Sequence, residues 1–288
     1  MSLKRYKKTI KLFLMDGDPS GRVSCQLSNW SGIAYKIPRI KIKDSSNIDY
    51  IEKPGVYLLF GKDENNKNKI YIGEAEPVYK RLTEHISQKD FWNETIIFVS
   101  QSFDLNKAKI KHIENILYEK AKSVNRYSIE NSNIPTKSTI DKSDEAEMEE
   151  FIDNILLLTS SLGHKVFEDL VDKTVINQPK KNVFYIKAAK GDRECNAKGI
   201  ATSTGFVVLK DSLIAKKTVP ALGKTYEKIR NELIHSGIII EKNGKYIFND
   251  DYEFPSASTA ARIVMGRSAN GLNEWKLENG KTLKETEQ

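Results

Sequence analysis

Alternating apolar and polar residues near the start of the chain predict a β hairpin. Apolar side chains at every second position from residue 10 to residue 14 would share one face of a strand. A turn rich in Gly and Asp at residues 17–21 separates this strand from a second one at residues 23–27. We therefore expect residues 1–50 to form a small N-terminal β segment.

The element order ββαβα is predicted for residues 51–125. Apolar runs at residues 55–60 and 70–73 flank a polar turn and predict a second hairpin. A strand-like run at residues 95–100 then separates two amphipathic helices. The apolar stripes of these helices consist of Val78, Leu82 and Ile86 in the first, and Ile110, Ile113, Leu117, Ala121 and Val124 in the second.

A polar linker followed by an acidic helix is predicted for residues 126–160. Residues 161–288 alternate short strands with helices, which predicts a C-terminal α/β module. Its strands are expected at residues 183–186, 206–209 and 246–248, and its helices at residues 224–235 and 256–265. The whole chain is expected to be an α+β protein with at least two cores, because its 288 residues exceed one ordinary domain.

Composition and charge narrow the classes of function. The 46 Lys and Arg residues outnumber the 39 Asp and Glu residues, and the surplus lies in residues 1–50 and 161–288. A basic surplus favours a nucleic-acid partner, although charge alone leaves that question open. No apolar run approaches the roughly 20 residues that cross a bilayer. We expect no membrane partner and no secretory signal. The two distant cysteines fit a reducing cytoplasm.

Two short phrases on the predicted second hairpin carry candidate chemistry. Gly55-Val56-Tyr57 and Tyr71-Ile72-Gly73 would place two phenols close together on paired strands. A tyrosine hydroxyl can position a water or pass on a proton, and glycine allows a phosphate or a backbone to approach closely. Strand tyrosines taken alone are more often packing residues, because tyrosine is a favoured strand residue.

Arg81 and His85 lie one helical turn apart, so both would project from one face of the first helix. The guanidinium offers a fixed set of donors for a phosphate, and an imidazole can relay a proton near pH 7. Alternatively, the pair belongs to a solvated helix surface on which Arg81 forms an ion pair with Glu84 or Glu76.

Glu114 lies beside the apolar stripe of the second helix, where a buried carboxylate needs a partner. A single carboxylate is a suitable ligand for Mg²⁺, which keeps most of its waters and takes further ligands from a substrate phosphate. An ion pair with Lys111 or Lys120 is the structural alternative.

Together these residues resemble the GIY-YIG nuclease family over about residues 54–124. The resemblance implies hydrolysis of a phosphodiester with one divalent ion, Mg²⁺ or Mn²⁺, bound by the helical glutamate. It implies substrate contacts near the two glycines and leaves the roles of the two tyrosines open. The implied roles are Tyr57 as general base, Tyr71 as a phenol that orients the substrate, Arg81 as phosphate clamp, His85 as proton relay, Glu114 as metal ligand, and Gly55 and Gly73 at the substrate.

The sequence departs from this family in two places. Glu74 follows Tyr-Ile-Gly, where the excision-repair members carry a lysine, so a negative charge is expected where phosphate would approach. The family asparagine, about a dozen residues beyond the glutamate, corresponds best to Asn125, with Asn131 as the alternative. Both departures are compatible with a site that has reduced catalytic activity or none.

The C-terminal residues 254–275 resemble a domain of unknown function that often follows GIY-YIG domains. They also resemble a module attached to restriction adenine methylases, except that Leu272 stands where that module usually has tryptophan. In a purely structural interpretation, Ser256 caps a helix and Trp275 fills a core. In the other interpretation, the module contacts DNA through its basic residues. The candidates for that contact are Arg262 and Arg267.

These observations predict a bacterial, cytoplasmic, Mg²⁺-dependent endonuclease acting on double-stranded DNA. Two alternatives stay open. One is a nucleic-acid-binding reader whose nuclease fold no longer cuts, and the other is a protein-interaction scaffold. Weak DNA binding that is insensitive to salt would favour the scaffold.

Overall fold

The computed structural model divides the chain into two compact units, residues 1–168 and residues 169–288. Both units combine helices with β-sheet, so the predicted α+β class is confirmed. Within the described residues, no helix is long and apolar enough to cross a membrane. The structure describes residues 7–64, 66–102, 105–169, 183–188 and 193–287.

Unit 1 is built on one mixed sheet. Its strands are β1 (Ile10–Leu14), β2 (Val23–Leu27), β3 (Gly32–Pro38), β4 (Gly55–Lys62), β5 (Asn68–Ala75), β6 (Trp92–Ser100) and β7 (Ser128–Ile129). The spatial order is β1-β2-β3-β6-β4-β5-β7, and all neighbours are antiparallel except β5 and β7. The expected separate β segment at residues 1–50 is therefore corrected. β3 pairs along its whole length with β6, and its apolar side chains are buried in the same sheet.

Helices cover both faces of this sheet. They are α1 (Val78–Gln88), α2 (Lys107–Val124) and α3 (Lys142–Ser161), and two short 3-10 turns lie at Arg39–Lys41 and Lys43–Ser45. α1 packs on the face that carries Tyr57 and Leu59, whereas α2 and α3 pack on the face that carries Val56 and Leu58. Alternate residues of a strand point to opposite faces, which explains this division. The order ββαβα predicted for residues 51–125 is the order observed.

The segment predicted as a linker is part of unit 1. The acidic helix α3 begins at the N-cap Asp141 and buries Ile155 and Leu158 in the core that α2 also lines. Lys109 of α2 lies 2.8 Å from Asp144 of α3. Beyond α3, residues up to 168 still belong to this unit. The boundary therefore falls after residue 168 and not after residue 160, because the helix buries its apolar face here.

Unit 2 is an antiparallel sheet with helices. Its strands are β8 (Phe184–Ala188), β9 (Cys195–Ala201), β10 (Phe206–Val208), β11 (Leu213–Ile214), β12 (Ile239–Lys242), β13 (Lys245–Phe248) and β14 (Tyr252–Phe254). Its helices are α4 (Lys224–His235), α5 (Ala257–Met265), α6 (Gly271–Glu274) and α7 (Leu283–Thr286), with a 3-10 turn at Pro220–Leu222. The sheet order is β12-β13-β11-β9-β10-β14, and β8 pairs with β9.

The expected α/β module is thus corrected to an antiparallel α+β unit. A two-residue turn joins β12 to β13, and both of its residues, Asn243 and Gly244, have positive φ. Such a turn closes a hairpin and cannot form a parallel crossover. Two structural expectations are confirmed. Ser256 caps α5 by accepting a hydrogen bond from the Thr259 N–H, and Trp275 is fully buried in the core of this unit.

Candidate functional site

The hydroxyl of Tyr57 lies at the centre of the candidate site in unit 1. Tyr57 is on β4, is 1% exposed, and its Oη lies 2.8 Å from Nε2 of His85 on α1. In the register of the hairpin, Tyr57 is opposite Gly73 of β5. A Cβ at Gly73 would overlap the ring and hydroxyl of Tyr57. The glycine of the second phrase therefore makes room for the buried phenol of the first.

The rings of Tyr71 and His85 lie close to the ring of Tyr57 that carries this hydroxyl. The rings of Tyr57 and Tyr71 are stacked with 6.2 Å between their centroids. The imidazole of His85 lies 5.6 Å from the first ring and 5.3 Å from the second. Tyr71 is only half-buried, whereas the other two side chains are buried. Of the two candidate phenols, Tyr71 is therefore the more accessible to a ligand.

His85 is a buried histidine with one nitrogen that has no hydrogen-bond partner. Its Nε2 faces Tyr57, and its buried Nδ1 has none. Burial, followed by the positive charges of Arg81 and Lys89, lowers the pKa of the imidazole to about 4. The ring is therefore neutral at neutral pH and can exchange a proton with the Tyr57 hydroxyl.

Arg81 joins the same group from α1. Its guanidinium is about half-exposed and lies 2.8 Å from Glu84, so the ion pair weighed as an alternative is present. Arg81 also hydrogen-bonds Tyr57, which lowers the pKa of that phenol. Burial and the neighbouring Tyr71 raise that pKa, and burial is the largest effect, so the net shift is strongly upward. The Tyr57 hydroxyl is consequently protonated at neutral pH.

Glu114 of α2 lies beside the Glu74 end of β5. Its half-buried carboxylate accepts a hydrogen bond from the backbone N–H of Glu74. Burial is the largest cause, followed by the charge of Glu74, of a rise in the pKa of Glu114 to about 7, and Lys107 and Lys111 oppose this rise. Of the two lysines weighed as ion-pair partners, Lys111 acts on Glu114 through its charge.

Glu74 is not an isolated negative charge. Its Oε2 lies 2.6 Å from the Nζ of Lys107 at the start of α2, and its side chain is 12% exposed. The negative charge of Glu74, which was expected to repel an approaching phosphate, is therefore offset by Lys107 of α2. Sequence spacing gave no signal for this pair, because 33 residues separate the two.

The two candidate asparagines have different positions. Asn125 is the C-cap of α2 in the left-handed conformation (φ 53°), and eleven helical residues place it about 16 Å along the axis from Glu114. Asn131 instead accepts a hydrogen bond from the Ile72 N–H (3.0 Å) and donates one to the Ile72 carbonyl (2.7 Å). The structure thus brings Asn131, and not Asn125, to the Tyr-Ile-Gly strand.

The donor set at Glu114 fits the single divalent ion that the family resemblance implies. A half-buried carboxylate next to a second carboxylate is under electrostatic strain that a cation would relieve. No three His, Cys, Asp or Glu side chains converge anywhere among the described residues. An ion at Glu114 would therefore keep most of its waters or take ligands from a phosphate, as Mg²⁺ does.

The remaining candidate residues have structural contacts. A Cβ at Gly55 would overlap the Phe98 carbonyl, so β4 and β6 require this glycine. In unit 2, Arg262 lies 4.6 Å from the centroid of the Tyr226 ring. Arg267 lies 2.8 Å from Glu274. Both arginines therefore already have intramolecular partners, which any contact with DNA would have to share or replace.

Lys89 is a residue of the site that sequence reasoning missed. Its Nζ lies 4.3 Å from the centroid of the Tyr71 ring. A signal was present, because Arg81, His85 and Lys89 recur every four residues and such residues share one face of a helix. The helix ends at residue 88, however, and the spacing did not show that this lysine reaches back over the tyrosine.

Comparison with known proteins bears on unit 2 alone. Residues 184–287 match the model of a domain of unknown function, DUF4357. No curated protein and no solved structure gives a significant match to the chain.

Proposed function

We propose that this chain is a metal-dependent endonuclease that hydrolyses phosphodiester bonds in double-stranded DNA. The observation that carries the proposal is the 2.8 Å contact between the buried Tyr57 hydroxyl and a neutral His85. Arg81 and Tyr71 adjoin this pair, and Glu114 is close enough to influence the pKa of Tyr57. A base, a phosphate clamp and a carboxylate ligand are the parts that metal-assisted phosphodiester hydrolysis requires.

The proton path would run through two side chains. Tyr57 takes a proton from the attacking water while its own proton moves to Nε2 of His85. This exchange needs no free phenolate, which suits a phenol whose pKa is strongly raised by burial. The resulting imidazolium is disfavoured beside Arg81 and Lys89, so His85 passes its proton back to Tyr57 while Tyr57 releases a proton to the leaving-group oxygen or to solvent.

The other residues would hold the substrate. Half-buried Tyr71 orients the phosphodiester, and the exposed part of the Arg81 guanidinium stabilises the charge that develops in the transition state. Glu114 would hold the divalent ion, which supplies Lewis-acid stabilisation of the phosphate oxygens when bound. We place the reaction in the bacterial cytoplasm. Unit 2 would add binding contacts, for which Arg262 and Arg267 stay candidates.

One observation favours the reader as a second candidate. The Arg81 guanidinium forms an ion pair with Glu84 at 2.8 Å, which occupies part of the proposed phosphate clamp. A protein that keeps this pair closed would bind a strand without cutting it. The scaffold alternative has no comparable support among the described residues.

Incubation of the purified chain with supercoiled plasmid and Mg²⁺ or Mn²⁺ tests the proposal. We expect nicking that excess EDTA abolishes and that Glu114→Gln removes while the circular dichroism spectrum is unchanged. Glu119→Gln, an exposed carboxylate on the same helix, is the matched control and should cut normally. Full activity of Glu114→Gln would exclude the assignment. Salt-dependent binding of DNA without nicking by the wild type would favour the reader.

A further inference from the structure

Lys89 is a cation without an anionic partner among the described residues, and it lies beside the rings of Tyr57, Tyr71 and His85. It follows the last residue of α1, and its backbone N–H donates to the His85 carbonyl at 3.1 Å. Its side chain is half-buried, and its Nζ lies over the Tyr71 ring at 4.3 Å from the centroid. None of the described carboxylates forms an ion pair with it.

The neighbouring cations differ in this respect. Arg81 is neutralised by Glu84 and Lys107 by Glu74. A ring face attracts an ammonium only weakly at an exposed site and leaves its three N–H donors free. The positive charge of Lys89 also contributes to the lowered pKa of the buried His85. The Tyr71 ring therefore holds the positive charge of Lys89 at the edge of the site, where an anionic ligand could pair with it.

We propose that Lys89 binds a backbone phosphate of the nucleic-acid strand that occupies this site. The inference rests on the proposed function, because it takes the group of Tyr57, Tyr71 and His85 as the place where the strand lies. The Tyr71 ring restrains the ammonium before the ligand arrives, so less side-chain freedom is lost on binding. Lys89 thereby supplies a phosphate contact that is separate from the Arg81 clamp.

The test measures binding, and it does not depend on cutting. The affinity of the full chain for a short fluorescent duplex is measured in Ca²⁺ at several salt concentrations. Lys89→Met should make the slope of log affinity against log salt shallower by about 0.9 and weaken binding roughly fivefold to tenfold near 0.1 M salt. Lys89→Arg should keep both values. Lys80→Met, which removes an exposed lysine from the same helix, should change neither.

The outcomes separate this inference from the endonuclease itself. An unchanged salt slope in Lys89→Met overturns it, whether or not the wild type cuts plasmid. A loss of turnover with unchanged slope also overturns it, since Lys89 would then only position the Tyr71 ring. A Lys89-dependent slope in a wild type that never nicks supports the phosphate contact and overturns the endonuclease. If Lys89→Met fails to fold, Lys89→Gln replaces it in the same comparison.

Discussion

A phenol as deeply buried as Tyr57 can act on water only if a neighbour accepts its proton. His85 is that neighbour, because its Nε2 lies 2.8 Å from the hydroxyl and its pKa of about 4 keeps the ring neutral at neutral pH. The unpartnered Nδ1 is consistent with this role. A purely structural histidine in a core would be expected to use both nitrogens.

Replacement of His85 should therefore affect chemistry more than folding. We expect His85→Gln to reduce nicking turnover by roughly 10²-fold, the lower end of what general acid–base catalysis contributes, with little change in affinity for DNA. Single-turnover nicking and duplex binding measure the two quantities. His235→Gln, which changes an exposed histidine of unit 2, should leave turnover unaltered. Equal losses of binding and turnover in His85→Gln would contradict the proton path.

The glycine opposite Tyr57 offers a second test at the scale of one residue. A Cβ at Gly73 overlaps the Tyr57 ring, so Gly73→Ala should displace the phenol from His85. We expect strongly reduced nicking and a loss of about 1–3 kcal/mol in the free energy of unfolding, the usual cost of overpacking. In a Tyr57→Ala background the same substitution should cost little. A double-mutant cycle by urea denaturation measures this coupling, and additive costs would show that the ring is not the obstacle.

At the scale of elements, the carboxylate of Glu94 links β6 to β3 and to the segment that follows α3. Glu94 of β6 lies 3.0 Å from Lys36 of β3 and 3.0 Å from His164, which follows α3. The ring of His164 also stacks on Phe60 of β4, with 3.5 Å between the centroids. The contacts with His164 and then Lys36 lower the pKa of Glu94 to about 2.

This pKa shift predicts acid sensitivity. The folded pKa of Glu94 is depressed below its ordinary value of 4.5, so its stabilisation is present above that value and is lost as pH falls towards 2. After allowance for its partial exposure, Glu94→Gln should cost roughly 1–2 kcal/mol at pH 6 and almost nothing near pH 2. Urea melts of both proteins across this range measure the difference. Glu150→Gln on the exposed side of α3 is the control. A cost independent of pH would refute this account.

Elements with a strong local pattern were predictable, whereas those formed by distant contacts were not. The hairpin of β4 and β5 and the stripe of α2 match the sequence because their apolar periods are long and regular. β7 contains only two residues and pairs with β5 across about 60 positions of chain, so no local pattern reveals it. The role of Asn131 at Ile72 depends on that pairing and was equally invisible.

For β1 the strand was predicted correctly, but the burial expected for its apolar face was wrong. Ile10 packs against the core of unit 1, but Leu12 is 54% exposed and Leu14 is 38% exposed. Alternation correctly gives a strand, yet it cannot tell whether a neighbouring element covers that strand. β1 lies at one edge of the sheet order, and the helices do not shield these two leucines.

At the scale of the whole molecule, the sequence predicted two cores but misplaced the boundary between them. Polar composition made residues 126–160 look like a linker, although an amphipathic helix in that stretch completes the core of unit 1. Burial of one helical face decides membership of a domain, and the polar opposite face hides it from a composition argument. Most of the candidate site residues lie on β4, β5, α1 and α2, whose apolar periods predicted these elements from the sequence.

The position of this boundary can be tested with two truncated chains. Val166 and Phe167 are buried in the core of unit 1, so a chain that ends at Ser161 loses both side chains together with His164. At about 1.5–3 kcal/mol for each buried apolar side chain, it should melt well below a chain that ends at Glu168, or not fold. Thermal melts followed by circular dichroism compare the two chains. Equal melting temperatures would support the boundary predicted from the sequence, after residue 160.

The chain that ends at Glu168 then shows what unit 2 contributes. It keeps the tyrosines, His85 and Glu114, so nicking at saturating DNA should survive. Its affinity for DNA should be lower and its slope of log affinity against log salt shallower, because the lysines and arginines of unit 2 no longer neutralise phosphates. Duplex binding at several salt concentrations measures both quantities against the full chain. Unchanged affinity and slope would mean that unit 2 does not touch the nucleic-acid backbone, and a protein partner would then be the better hypothesis for the DUF4357 region.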